Sequence, residues 1–134
     1  MSERWIAVCH RDDVPPDGGA CVLYRGVQIA VFHLAARDEW RAVQNRCPHW
    51  NEQVLWRGIT GERDGEPKVA CPMHKRTFSL RTGAPLGDDT PGLLTFPVRV
   101  DGDGRVFIAA PTDEALERER SLCARAHGVD GRAA

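Results

Sequence analysis

Residues 47–49 read Cys47-Pro48-His49, and residues 71–74 read Cys71-Pro72-Met73-His74. Each of these two clusters begins with Cys-Pro and ends with histidine, and residues 50–70 between them contain glycines and a proline that favour loops. Two thiolates and two imidazoles, supplied by two loops, can hold one inorganic centre. We therefore expect one metal site, with four candidate ligands: Cys47, His49, Cys71 and His74.

The mixture of cysteine and histidine within each cluster favours one kind of centre. Structural zinc sites usually group like ligands, as Cys-x₂₋₄-Cys and His-x₃₋₅-His. A Rieske-type 2Fe-2S cluster has two thiolates on one iron and two imidazoles on the other, so each loop supplies one of each. On this interpretation Cys47 and Cys71 hold the ferric iron, and His49 and His74 hold the iron that becomes ferrous. A zinc site, a redox-active disulfide and a metal-free fold are the alternatives.

The rest of the chain is patterned as short strands between turns. Runs rich in β-branched and aromatic residues predict strands at Trp5–Cys9, Ala20–Tyr24, Val27–Leu34, Trp40–Gln44, Val69–Ala70, Thr77–Leu80, Leu93–Val100 and Arg105–Ala109. Turn-forming pairs such as Asp64-Gly65 lie between them. The clearest hairpin joins residues 94–100 to residues 105–108, and Pro97 predicts that its first strand lies at a sheet edge. This pattern predicts a mostly antiparallel all-β domain.

The C-terminal segment has a different character. Thr112 is a capping residue, and the acids and strong helix formers that follow it predict a helix over about residues 113–126. Residues 128–134 have little to bury, so we expect this tail to be flexible.

Composition excludes several classes of function. The 134 residues include 18 Lys+Arg and 19 Asp+Glu, a net charge of -1, so nucleic acid and anionic membranes are not expected partners. No apolar run approaches the roughly 20 residues of a membrane span, and the start lacks the features of a secretion signal. We therefore expect a cytoplasmic protein. Five cysteines in such a chain favour metal or redox chemistry over a disulfide framework.

The clusters and their surroundings resemble the Rieske iron-sulfur family and, within it, the NirD-like small subunits of assimilatory NAD(P)H nitrite reductases. The resemblance covers about residues 4–110 and rests on the four ligands and on residues 53–58, 69–83 and 96–100. It implies a Rieske-type fold of stacked antiparallel sheets, with two cluster-binding loops at one end, over residues 1–110. Residues 111–134 form a C-terminal helical extension and tail that the resemblance does not explain.

The same resemblance implies a function. It predicts an oxidoreductase subunit that transfers electrons or serves as a scaffold in a cytoplasmic NADH-dependent nitrite reductase, which reduces nitrite to ammonium. The large subunit would supply flavin, sirohaem and a 4Fe-4S cluster, and the catalytic centre is expected there, with no catalytic residue on this chain. A free Rieske ferredoxin that delivers electrons to a ring-hydroxylating dioxygenase is the main alternative. A zinc-stabilised or metal-free interaction module is the third.

Other chemically notable side chains receive ordinary structural interpretations. We expect Cys9 and Cys21 to be buried and inert, and Trp40 and Trp56 to belong to the core. Four basic residues near the clusters are expected to lie on a solvated face beside Glu52, Glu62 and Asp64: Arg57, Lys75, Arg76 and Arg81.

Overall fold

The structure, a computed structural model, describes residues 4–48, 52–73, 76–87 and 91–126. Its strands are β1 Trp5–His10, β2 Gly18–Tyr24, β3 Val27–Leu34, β4 Glu39–Gln44, β5 Arg46–Cys47, β6 Glu52–Gln53, β7 Ile59–Arg63, β8 Glu66–Ala70, β9 Thr77–Ser79, β10 Thr95–Phe96, β11 Val98–Val100 and β12 Arg105–Ala109. Short 3₁₀ turns lie at Arg11–Asp13, Ala35–Arg37 and Leu55–Arg57, and the helix α1 spans Asp113–Ala126. The predicted all-β fold with a C-terminal helix is confirmed.

Two antiparallel sheets form the base of the molecule. One has the strand order β1-β12-β11 and the other β10-β4-β3-β2. Their buried apolar side chains, among them Val31 and Ile108, form one core, and Leu116 of α1 belongs to it. Helix α1 is therefore packed onto the base through an apolar anchor.

Two smaller sheets form the part of the molecule that carries the Cys/His clusters. They are the antiparallel pair β5-β6 and the antiparallel sheet β7-β8-β9. A second core lies beneath them and contains Leu55, Val69 and Phe78 together with Phe32 of β3. Since side chains of a strand alternate between its two faces, β3 contributes Phe32 to this core and Val31 to the core of the base. Strand β3 thus connects the two parts.

Residues 59–63 were expected to be part of a loop, and this prediction is wrong. They form β7, which pairs with β8 from Ile59 opposite Ala70 to Arg63 opposite Glu66. Asp64 and Gly65 make the turn with φ angles of 52° and 85°. A two-residue turn with both φ angles positive suits the right-handed twist of a hairpin, and Asp-Gly is a common sequence for it.

The prediction of a single strand at Leu93–Val100 is also wrong, because the chain changes sheets at Pro97. Strand β10 pairs with β4 in one base sheet, whereas β11 pairs with β12 in the other. Proline has no N–H to donate to a ladder, and the Pro97 carbonyl accepts a hydrogen bond from the Ala109 N–H at 3.0 Å. The expected edge position is confirmed, since β11 is an outer strand of its sheet.

Helices long and apolar enough to cross a membrane do not occur in the described part of the chain.

Candidate metal centre

Both expected cysteine ligands stand at the base of a short loop. Cys47 ends β5 and lies opposite Glu52 of β6, so residues 47–52 close on themselves through strand pairing. Cys71 directly follows β8, and its backbone N–H donates to the Arg76 carbonyl at 2.7 Å. Residues 71–76 therefore form a second closed loop of the same length. His49 and His74 fall within these two loops and lie outside the described residues.

The two thiol groups share one buried environment. Cys47 is 0% exposed and Cys71 is 1% exposed, and both belong to the core that contains Leu55 and Phe78. An anionic thiolate is unfavourable in apolar surroundings unless a cation compensates its charge. Iron would provide that compensation, and thiolates are suitable soft ligands for it. The donor chemistry of this site therefore fits the inner side of an iron-sulfur cluster.

The two cysteines do not form a complete ligand set by themselves. No cluster of three or more His, Cys, Asp or Glu side chains suited to a metal ion occurs within residues 4–48, 52–73, 76–87 and 91–126. The described residues thus include two of the four predicted ligands, Cys47 and Cys71, and the other two, His49 and His74, lie outside them.

Gly58 lets the two loop-bearing segments approach each other closely. A Cβ atom at this position would lie 2.6 Å from the Ala70 carbonyl oxygen and 2.6 Å from Cγ2 of Val69. Such distances are far below ordinary contact, so only glycine fits without displacement. Because Ala70 immediately precedes Cys71, this contact places the segment that follows the first loop against the start of the second.

Asn45 holds the segments on both sides of the first loop and was not singled out in the sequence. Its fully buried amide accepts the Trp56 N–H at Oδ1 (2.8 Å) and donates from Nδ2 to Gln28 Oε1 (3.0 Å). Its main-chain carbonyl accepts the Leu55 N–H at 3.0 Å. A buried amide that is satisfied in this way fixes the local backbone. Its position directly after β4 and two residues before Cys47 is the sequence feature that could have indicated this structural role.

One of the basic residues near the loops has an acidic partner on the base. Glu39 Oε2 accepts hydrogen bonds from Arg81 Nε at 3.0 Å and from Arg41 Nε at 2.7 Å, and its Oε1 accepts one from Arg81 NH2 at 3.1 Å. Hydrogen bonds from Arg81 first, and then from Arg41, lower the pKa of Glu39 to about 2 even though partial burial opposes this. Arg81 is therefore paired with Glu39, and Glu62 is close enough to add a weaker electrostatic attraction.

The expectations for the remaining cysteines have mixed outcomes. Cys9 is half-buried, and burial, followed by the nearby charge of Asp13, raises its pKa to about 11, so it is a protonated thiol at neutral pH. Cys21 was expected to be buried, but it is exposed: side chains of β2 alternate between its two faces, and Val22 next to it is the one that faces the base core.

The tryptophans also differ from each other. The Trp40 ring is half-buried and stacks on His33 with 4.1 Å between ring centroids. Trp56 was expected in the core, but it is 37% exposed, with the Arg57 guanidinium 5.9 Å from its ring centroid. Leu55 takes the core position in that 3₁₀ turn instead.

Comparison with known proteins assigns the family. The model of the Rieske-like [2Fe-2S] domain matches residues 4–109. The chain belongs to this family, and the predicted Rieske-type 2Fe-2S cofactor is confirmed. Helix α1 begins after the last matched residue.

Within the family, the chain is similar to nitrite reductase subunits. It is 34% identical to the "Nitrite reductase (NADH) small subunit" of Salmonella typhimurium over 105 residues. This alignment covers 78% of this chain and 96% of the relative. The solved structure of NirD from Escherichia coli superposes with a TM-score of 0.73 at 32% identity, covering 83% of this chain and all (100%) of that one. A dioxygenase ferredoxin subunit, that for 3-phenylpropionate/cinnamic acid in Photorhabdus laumondii, is 35% identical over 110 residues, 81% of this chain and 97% of the relative.

Proposed function

We propose that this chain is the small subunit of an NADH-dependent nitrite reductase and that it binds its Rieske 2Fe-2S cluster through Cys47, His49, Cys71 and His74. One observation carries the proposal: Cys47 and Cys71 are buried in one core at the bases of two closed loops. Each loop contains one of the two histidines at the spacing that Rieske ligation requires.

The protein's own residues have positioning roles in this proposal. When bound, the cluster supplies one-electron transfer. Cys47 and Cys71 would hold it from the inner, apolar side, and Asn45 and Gly58 fix the segments that carry them. Preorganised ligand loops avoid rearrangement of the protein when an electron is gained or lost.

The proposed partner is the large subunit of the same reductase. It would hold flavin, sirohaem and a 4Fe-4S cluster, and nitrite would be reduced to ammonium there. A cytoplasmic location suits an enzyme that consumes NADH. A net charge of -1 disfavours binding to nucleic acid or to an anionic membrane.

We also propose that residues 1–110 constitute the iron-sulfur domain and residues 111–134 an extension, a division supported by the family match to residues 4–109.

The first experiment tests the cluster. The protein is purified aerobically, iron and acid-labile sulfide are measured, and the dithionite-reduced sample is examined by EPR. We expect iron and sulfide in equal amounts and the rhombic spectrum of a Rieske centre. Zinc in place of iron, or protein without metal, would contradict the proposal.

The second experiment tests the partner. The chain is co-expressed with the large subunit of an NADH-dependent nitrite reductase, and the complex is assayed for NADH-dependent nitrite reduction. We expect the two proteins to co-purify and the activity to depend on both.

A ferredoxin role is the second candidate, because the Photorhabdus dioxygenase ferredoxin is 35% identical over nearly its whole length. On that alternative, the reduced protein would pass electrons to a ring-hydroxylating oxygenase and would not bind the nitrite reductase subunit. Stopped-flow oxidation of the reduced cluster by each acceptor separates the two functions.

A further inference from the structure

A buried ion pair joins helix α1 to the residue before the first cysteine ligand. Arg46 Nε lies 2.6 Å from Glu119 Oε2, and Arg46 NH2 lies 3.1 Å from Glu119 Oε1. Both side chains are only 7% exposed. Two parallel N–H···O bonds between a guanidinium and a carboxylate fix the relative orientation of the two groups. In the described part of the chain, Arg46 and Glu119 are the charged residues that are buried.

The helix is held in place by contacts that do not involve Arg46. Leu116 is buried in the base core, and the Thr112 hydroxyl accepts the Ala115 N–H at 3.1 Å to cap the first turn. Arg120 NH1 donates to the Arg25 carbonyl at 2.7 Å. Glu119 is consequently presented from an anchored element, and its position does not depend on the loop.

The strand that receives the ion pair is short and carries Cys47. Arg46 and Cys47 are the two residues of β5, which within the described segments pairs with the two-residue strand β6. The Arg46 carbonyl accepts a hydrogen bond from Gln44 Nε2 at 2.7 Å. A cleft of about 510 Å³ between α1 and this strand is lined by Arg46, Pro48 and Glu119. So short a strand has few ladder hydrogen bonds of its own, and the side-chain ion pair adds to its support.

We infer that α1 positions the cluster and that Glu119 is a positioning residue that acts through Arg46. The inference rests on the proposed ligand role of Cys47. Glu119 holds the strand that ends in this ligand, and it also neutralises the Arg46 charge one residue away from the thiolate. Reduction adds a negative charge to the cluster, so an unbalanced cation nearby favours the reduced form and an unbalanced anion disfavours it. The helix therefore influences both retention of the cluster and its reduction potential.

The test uses opposite charge deletions in the full-length holoprotein. Glu119→Gln removes a negative charge beside Arg46 and is expected to raise the reduction potential. Arg46→Met leaves the Glu119 charge unbalanced and is expected to lower it. In both variants the cluster should be lost to a chelator faster than in the wild type, by about 10- to 100-fold if the rate follows the loss of metal affinity that is typical when residues supporting metal ligands are replaced. The readouts are EPR-monitored redox titration and decay of the visible absorbance.

Two further variants make the result specific. Glu117→Gln is the matched control, since Glu117 lies on the same helix but is exposed and pairs with Arg120. It should leave both the potential and the rate of cluster loss unchanged. The double variant Arg46→Met/Glu119→Leu removes one positive and one negative charge together and should return the potential to near that of the wild type.

The outcomes distinguish this inference from the proposed function. A wild-type protein without a Rieske spectrum would overturn the function and the inference together. A wild type with the cluster, combined with Glu119→Gln and Arg46→Met variants that behave like Glu117→Gln, would overturn the inference alone. Shifts of the potential in the same direction in both single variants would also overturn it. If Glu119→Gln does not fold, Glu119→Asp keeps the charge but shortens its reach, and wild-type retention of the cluster in that variant would contradict the inference.

Discussion

Arg81 donates two hydrogen bonds to Glu39, from Nε to Oε2 at 3.0 Å and from NH2 to Oε1 at 3.1 Å, and so joins the segment after β9 to the base. Glu39 begins β4 of the base, and Arg81 lies two residues after β9, which pairs with the strand that leads into Cys71. A bidentate arginine-carboxylate contact is directional, so it restrains the rotation of one part against the other as well as their separation. The pair therefore belongs to the support of the site.

This pair predicts a pH dependence of stability. The pKa of Glu39 is lowered from its ordinary value of 4.5 to about 2, so the folded state favours the ionised carboxylate. Its stabilisation is fully present above pH 4.5 and is lost as the pH falls toward 2. Glu39→Gln should lower stability at neutral pH and reduce the loss between pH 4.5 and pH 2. Urea unfolding of apoprotein across this range measures both effects.

The control for Glu39 is Glu114→Gln, which removes an exposed carboxylate on α1. It should keep the wild-type stability profile. A Glu39→Gln profile parallel to that of the wild type below pH 4.5 would contradict the role of this carboxylate.

The proposed thiolate ligands predict an all-or-none effect on the chromophore. Cys47→Ser and Cys71→Ser should abolish the visible absorbance, because serine rarely replaces a thiolate on iron. Cys9→Ser and Cys21→Ser should retain it, since Cys9 packs with the base core and Cys21 is exposed. Iron and sulfide analysis of soluble, folded protein provides the measurement. If Cys9 or Cys21 proved necessary for iron content, the ligand assignment would be wrong.

The close contact at Gly58 predicts a steric effect. Gly58→Ala would place a methyl group 2.6 Å from the Ala70 carbonyl oxygen and should destabilise the protein by about 1–3 kcal/mol, the usual range for overpacking. It should also accelerate cluster loss, because Ala70 is adjacent to Cys71. Gly102→Ala is the matched control, since a Cβ there meets nothing within 4 Å. Thermal unfolding with equal midpoints for the two variants would argue against a close-packing role of Gly58.

Removal of iron should open the two ligand segments before the rest of the fold. With the proposed ligands, metal-ligand bonds would close these loops in the folded protein and could not form in the unfolded chain. We expect amide hydrogen exchange in the apoprotein to accelerate most over residues 47–60 and 71–76, whereas β3, buried between both cores, keeps its protection. Equal protection of the loops in apoprotein and holoprotein would show that they do not depend on the cluster.

Features set by local sequence were predictable. The spacing of the Cys/His clusters indicated the cofactor, and Asp101-Gly102-Asp103-Gly104 between two β-rich runs indicated the hairpin of β11 and β12. Thr112 and the acids after it predicted α1 within a residue. In each of these cases, residues close in the chain determine the structure.

Features set by pairing between distant segments were not predictable. Glu119 binds Arg46 across 73 positions, and neither residue is unusual in its own neighbourhood. Cys21 is exposed because the side chains of β2 alternate and Val22, not Cys21, faces the base core, and which face of the strand is covered depends on packing between distant strands. The sequence shows that Pro97 has no backbone N–H to donate to a strand. The change of sheet at this residue becomes visible in the pairing of β10 with β4 and of β11 with β12.

The burial of Cys47 and Cys71 also has an evolutionary consequence. A thiol is a small hydrophobic group, and these two fill space beside Leu55 and Phe78 as any apolar side chain of similar size does. Replacement of both by alanine or valine would remove the proposed thiolate ligands but preserve most of the packing around them. A lineage can therefore lose the proposed ligands and keep the fold, so the presence of this fold in a genome indicates electron transfer less strongly than the presence of its two cysteines.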